Sequence, residues 1–86
     1  MTLKVFTQPN CPKCSAAKKI VDDSRLAFSD LRIESYDVTT VDGFAEASFY
    51  SVMATPSLVL LNDAGKEVHA WRGEVPSLKE IVVLIR

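Results

Sequence analysis

Cysteine is scarce in this chain: among 86 residues there are two, alongside a single histidine. A small secreted domain held together by disulfides usually carries several pairs, so two cysteines make a poor framework of that kind. A closed structural zinc site takes four ligands, which one chain cannot supply from two cysteines and His69. Two chains sharing four thiolates could. An excess of charge is lacking too. Ten basic residues face eleven acidic ones, for a net charge of −1, which is not the basic footprint of a nucleic-acid partner. The groups Lys13, Lys18, Lys19 and Lys79, Arg86 read as solvated helix faces. No apolar run approaches the roughly 18–20 residues of a membrane span. Met1-Thr-Leu-Lys-Val-Phe already reads as strand, with no basic stretch leading into an apolar segment and a cleavage site. Repeats, low-complexity tracts and linkers are missing as well. The expectation is one small domain over residues 1–86, cytoplasmic, with no nucleic-acid or membrane partner.

What the chain does have is a spacing. Cys11 and Cys14 enclose Pro12 and Lys13. Thr2–Thr7 ahead of them alternates Leu3, Val5 and Thr7 against Lys4 and Phe6, the period of a strand. Gln8-Pro9-Asn10 breaks it. Behind the pair, Ala17, Ile20, Val21, Ser24 and Phe28 fall at helical spacing, with Lys18, Lys19, Asp22 and Arg25 on the opposite face. Pro12 suits a first helical position, where its missing N–H costs nothing. Cys11 is then expected at the N-cap. Unpaired N–H groups and the helix dipole favour negative charge there, and the thiolate is the reactive form of cysteine. A disulfide across so short a loop adds little to folding, which favours a redox role over a staple. A shared metal or cluster, and an inert pair, are the alternatives.

The rest of the chain alternates strand and helix. Leu31–Val38 is a strand candidate. Thr39 and Thr40 can cap a helix over about Val41–Val52, with Phe44, Ala45, Ala47, Ser48 and Val52 facing inward; Gly43 weakens its first turn. Ser57–Leu61 is a continuous apolar run, as in a central strand buried on both faces. Asn62-Asp-Ala-Gly65 is a turn into Lys66–Arg72, whose polar residues suit an edge strand. Ser77-Leu-Lys-Glu80 is a capping box opening a last helix, with Leu78, Ile81, Val82 and Ile85 as its buried stripe. The order β-α-β-α-β-β-α predicts an α/β fold, a four-stranded mixed sheet with three helices on its two faces.

With these residues in view, the chain resembles the thioredoxin and glutaredoxin family along its whole length. Phe6-Thr-Gln-Pro-Asn-Cys-Pro-Lys-Cys14, Ala54-Thr-Pro-Ser57 and Val68 to Gly73 carry the resemblance. It implies a thioredoxin-like fold, a cis Thr55–Pro56 bond facing the cysteines, and no cofactor. The size and the Cys-Pro-x-Cys pattern look like a glutaredoxin. Asn62-Asp-Ala-Gly-Lys66 and Arg72-Gly73 look more like a thioredoxin. Thioredoxins carry Trp-Cys-Gly-Pro-Cys, where this chain has Asn10, Pro12 and Lys13 in place of Trp, Gly and Pro. Val5 stands where thioredoxins bury an acid. Trp71-Arg-Gly-Glu-Val75 has one glycine where glutathione-binding members usually have two.

The expected activity is dithiol–disulfide exchange that reduces protein disulfides. Cys11 attacks and Cys14 resolves. Pro12, Lys13, Thr55, Pro56 and Gly73 are the expected substrate-binding residues. Lys13 adds a nearby positive charge. Thr55 and Pro56 shape a groove that can accept a substrate strand. Gly73 either lets a partner backbone approach or only serves the turn before Pro76. His69 reads as solvated and Trp71 as core more than partner surface. A reductase would supply electrons to a monomeric protein. The competing functions are a glutathione-dependent glutaredoxin and a dimer holding an iron–sulfur cluster or metal through the cysteines.

Overall fold

A computed structural model describes residues 1–85; Arg86 and its pairing with Lys79 lie outside the described residues. The elements are β1 (Thr2–Thr7), α1 (Cys14–Ala27), β2 (Arg32–Asp37), α2 (Val41–Phe49), β3 (Ser57–Leu61), β4 (Glu67–Arg72) and α3 (Leu78–Ile85), in the expected order. The sheet runs β2-β1-β3-β4. β1 pairs parallel with β2 and antiparallel with β3, and β3 pairs antiparallel with β4. The β3–β4 ladder slips between Leu60 and Leu61, leaving Val68 as an extra residue between His69 and Glu67.

Strand alternation sends side chains to two cores. Leu3 and Val5 of β1, with Leu58, Leu60 and Trp71, pack on Ala17 and Val21 of α1 and Ile81 of α3. Phe6, Val59 and Leu61 face the other way, onto Ala47 of α2 and Val52. Every residue of β3 is buried, as its apolar run requires. The capping box of α3 forms as expected: Glu80 accepts from the Ser77 N–H at 2.7 Å, and the Glu80 N–H donates to Ser77 Oγ at 3.3 Å. Thr40 caps α2 by accepting from the Gly43 N–H at 3.0 Å.

The inward face of α2 differs from expectation. Gly43 and Ala47 are its buried residues, whereas Ala45 and Ser48 are exposed and Phe44 is 66% exposed. The cause is a close approach to the end of β2. A Cβ on Gly43 would lie 1.8 Å from the Asp37 carbonyl oxygen, so only glycine lets the helix settle there. Helical rotation then carries Phe44 outward. The helix also stops early, at Phe49. Ser51 takes a positive φ of 57° and its N–H meets the Ser48 carbonyl, while the Val52 N–H reaches the Ala47 carbonyl at 2.8 Å. This is a Schellman ending with serine where glycine is usual.

The α2 face also holds a charge. Lys4 Nζ bonds to Glu46, approaches Glu34 at 3.3 Å, and lies about 5 Å from the Tyr36 and Tyr50 ring centres. Burial pulls the ammonium's pKa down, but hydrogen bonds to Glu46 and Glu34 and the charge of Glu46 outweigh it and hold it above the ordinary lysine value. The Tyr36 hydroxyl donates to Glu34 at 2.8 Å. That bond, with Lys4 against the opposing effect of burial, holds the Glu34 carboxyl below its usual range.

Candidate active site

The sheet register gathers the expected site at one end. Phe6 pairs with Ser57 and Ser57 with Arg72. The chain leaving β1 toward the cysteines, the Thr55–Pro56 segment entering β3 and Gly73 after β4 therefore share an edge. His69 is not brought there. It pairs with Leu60, about 10 Å down the ladder, where it is exposed and lies edge-on to buried Trp71 at 4.7 Å.

After β1, Asn10 adopts φ 61°, a left-handed conformation that asparagine tolerates better than most residues. The chain turns there and presents Cys11. The Cys14 N–H then bonds to the Cys11 carbonyl at 3.2 Å, and Lys13 sits at φ −88°, ψ −8°. These are the marks of a type I β-turn with Pro12 second and Lys13 third. This corrects two expectations. Cys14 is the first helical residue and Lys13 the N-cap. Cys11 lies one turn before the helix, and Pro12 lies in the turn. Proline's fixed φ serves the second place of a turn as well as it serves a first helical position.

Cys11 and Cys14 form a disulfide, with Cα atoms 5.3 Å apart. Cys11 is half-buried and Cys14 buried, at 8% exposure, while Pro12 and Lys13 are exposed. The start of α1 has no side-chain cap and no acid in its first turn. The other two helices differ: α2 has Thr40 and Asp42, and α3 has Ser77 and Glu80. The N-terminal end left without a balancing acid is thus the one at the cysteines, where a thiolate would provide the missing charge.

Thr55–Pro56 is cis, with Pro56 buried and Thr55 half-buried. Gly73 has φ 77°, and a Cβ there would stand 3.3 Å from the Ala54 side chain. The turn and the close approach thus both call for glycine, the first strictly and the second in part.

Ser57 joins these two segments and was not singled out in the sequence. Fully buried, its hydroxyl donates to the Ala54 carbonyl at 2.6 Å and accepts from the Gly73 N–H at 3.0 Å. Its one sequence signal is a small polar residue directly after proline, heading an otherwise apolar strand. Arg72 is turned away. Its guanidinium bonds to the Tyr50 carbonyl at 2.8 Å and to Glu67 at 3.0 Å.

A family model described as a thioredoxin domain matches residues 1–86. The chain belongs to the thioredoxin family. It is 31% identical over 61 residues to the thioredoxin of Methanocaldococcus jannaschii, covering 71% of each chain. It is 34% identical over 61 residues to a probable thioredoxin of Methanothermobacter thermautotrophicus, covering 70% of this chain and 69% of the relative. A mutant thioredoxin from Halobacterium salinarum superposes with a TM-score of 0.82 at 26% identity, over 98% of this chain and 70% of that one. Thioredoxin 1 from Thermosipho africanus shares the fold, with a TM-score of 0.79 at 21% identity over 99% and 90% of the two chains. With its paired cysteines, this thioredoxin-family chain is a dithiol–disulfide oxidoreductase; the glutaredoxin alternative is not favoured. Among the described residues no helix is long and apolar enough to cross a membrane.

Proposed function

We propose that this chain acts as one thioredoxin-like domain, monomeric and cytoplasmic, that reduces protein disulfides through Cys11 as attacking thiolate and Cys14 as resolving thiol. The carrying observation is the unequal exposure of the pair: Cys11 is half-buried, Cys14 is 8% exposed. A bulky substrate disulfide reaches the first sulfur more readily than the second. The uncapped start of α1 favours negative charge at the cysteine pair, and the greater exposure of Cys11 assigns it to that sulfur.

In the reduced protein, the Cys11 thiolate attacks one sulfur of the substrate disulfide. A mixed disulfide forms and one substrate thiolate leaves. Cys14 gives up its proton and attacks Cys11 Sγ. The Cys11–Cys14 disulfide forms and the second substrate thiolate leaves. Two electrons pass to the substrate, and a reductase returns two to the protein. Exposed Pro12 and Lys13 border the attacking sulfur. Thr55, Pro56 and Gly73 frame the groove, where the backbone ahead of Pro56 can accept a substrate strand. Glutathione has little to hold it: Arg72 is occupied by Tyr50 and Glu67, and exposed Glu74 would repel its carboxylates.

Iodoacetamide labelling of the reduced protein at pH 6 tests the assignment. Cys11 should react first, and Cys14→Ser should hold target proteins as mixed disulfides. Preferential labelling of Cys14 would overturn it.

A further inference from the structure

Ser57 heads β3 on the side of the strand where Val59 and Leu61 are apolar and buried. A serine in that row forgoes apolar burial and must satisfy a hydroxyl instead. Its two bonds have directions set by their partners. The Gly73 N–H can only donate and the Ala54 carbonyl can only accept, so the proton on Ser57 Oγ points at Ala54. Among the described residues, Met53, Ala54, Thr55 and Pro56 make no backbone–backbone hydrogen bond. The 2.6 Å bond from Ser57 is thus the hydrogen bond that ties this stretch to the sheet. The same hydroxyl holds the turn at Gly73, whose Cβ position lies 3.3 Å from the Ala54 side chain.

We propose that Ser57 is a positioning residue for polypeptide substrates: its hydroxyl fixes the Ala54–Pro56 wall and the Gly73 turn at one separation before substrate arrives. The inference rests on the reading of Thr55, Pro56 and Gly73 as the frame of the groove. Ser57 is fully buried, so it acts through these backbone groups and not by touching substrate. A wall that is already held loses less freedom when a chain binds against it. Without the hydroxyl, the Ala54 carbonyl and the Gly73 N–H lose their partner, and the stretch before β3 gains freedom. A polypeptide lying along this wall then binds more weakly. A small disulfide that reaches Cys11 without using the wall does not. The Gly73 N–H is already taken by Ser57. Gly73 therefore serves the groove through its place and its turn, not as a donor to substrate.

The test pairs dithiothreitol-driven reduction of insulin with the single-turnover reaction of reduced protein and dithiobis(nitrobenzoate), a small aryl disulfide. Ser57→Ala should raise the KM for insulin about tenfold, the scale of one lost hydrogen bond, with kcat within about twofold of the parent. Its rate with the small disulfide should match the parent's. Ser57→Thr, which keeps the hydroxyl, should restore the insulin KM. A role in stability alone would lower the melting temperature of Ser57→Ala without this split between substrates. Equal slowing of both reactions, an unchanged insulin KM, or a Ser57→Thr variant no better than Ser57→Ala overturns the role of Ser57. Thr55→Trp separates this from the groove itself, since it adds bulk to the wall and leaves the hydroxyl in place. Undiminished insulin reduction by Thr55→Trp would overturn the groove, and the role of Ser57 with it. Slowed reduction there beside an unchanged KM in Ser57→Ala would overturn Ser57 alone.

Discussion

The two faces of the sheet are covered differently. On one, α1 and α3 enclose large aliphatic side chains and Trp71, and the buried Ser24 hydroxyl bonds back to the Ile20 carbonyl of its own helix at 2.7 Å. On the other, α2 alone covers Phe6, Val59 and Leu61, with Ala47 as its buried apolar side chain. The middle of that face is occupied by Lys4 and its carboxylates, and the end near the cysteines is left open as a cleft. The same strands supply both faces, so the difference lies in the cover. Two helices close a core; one short helix leaves room for charge and for an open cleft.

The largest expected effect separates adjacent leucines of β3. Leu60 faces the two-helix core and Leu61 the α2 side. Leu60→Ala should cost about 3–5 kcal/mol in urea denaturation and Leu61→Ala about 2–3 kcal/mol, since a lightly covered site can collapse around the lost volume. Equal costs would break the comparison.

Lys4 gives a smaller and pH-dependent effect. Lys4→Met should cost about 1–3 kcal/mol at pH 7, because partly buried Glu34 and Glu46 lose their shared cation. Glu34 has a folded pKa below its ordinary value of 4.5. Its contribution is therefore present above pH 4.5 and lost as pH falls through the folded value. Denaturation from pH 7 to pH 2 should show a shallower acid loss in the variant than in the parent. Some loss should remain, because the Tyr36 hydrogen bond also holds Glu34 down. An unchanged slope would remove Lys4 from the account.

The smallest effect is a gain. Ser51 holds a left-handed φ at the end of α2, where glycine carries no Cβ penalty. Ser51→Gly should raise stability by about 0.5–1 kcal/mol, part of the advantage being offset by glycine's freedom in the unfolded chain. A thermal melt that moves down instead would mean that the serine makes a contact worth more than its strain.

Most of the architecture was legible because it is local. The unbroken Ser57–Leu61 run, the Ser77/Glu80 box and the alternation in β1 each declare their element within a few residues. The cysteine pair was legible for the same reason. What escaped was non-local. Gly43 looked like a weakness in α2 because nothing near it in sequence reveals the Asp37 carbonyl it must clear. Phe44 looked like core because it is large and apolar. Lys4 looked like an ordinary polar strand position, since the cage of Glu34, Glu46, Tyr36 and Tyr50 forms only when three elements meet. Ser57 was hidden by its neighbours, its two partners lying in loops that the sheet alone brings together.

The slip in the β3–β4 ladder bears on how such a protein avoids sticking to what it handles. β4 ends the sheet, and an open strand invites another chain to add along it. The extra residue at Val68 kinks that strand midway, and exposed Lys66, Glu67 and Arg72 stand around it. A long, flat row of free backbone groups is thus absent from β4, and self-association into growing ribbons is disfavoured there.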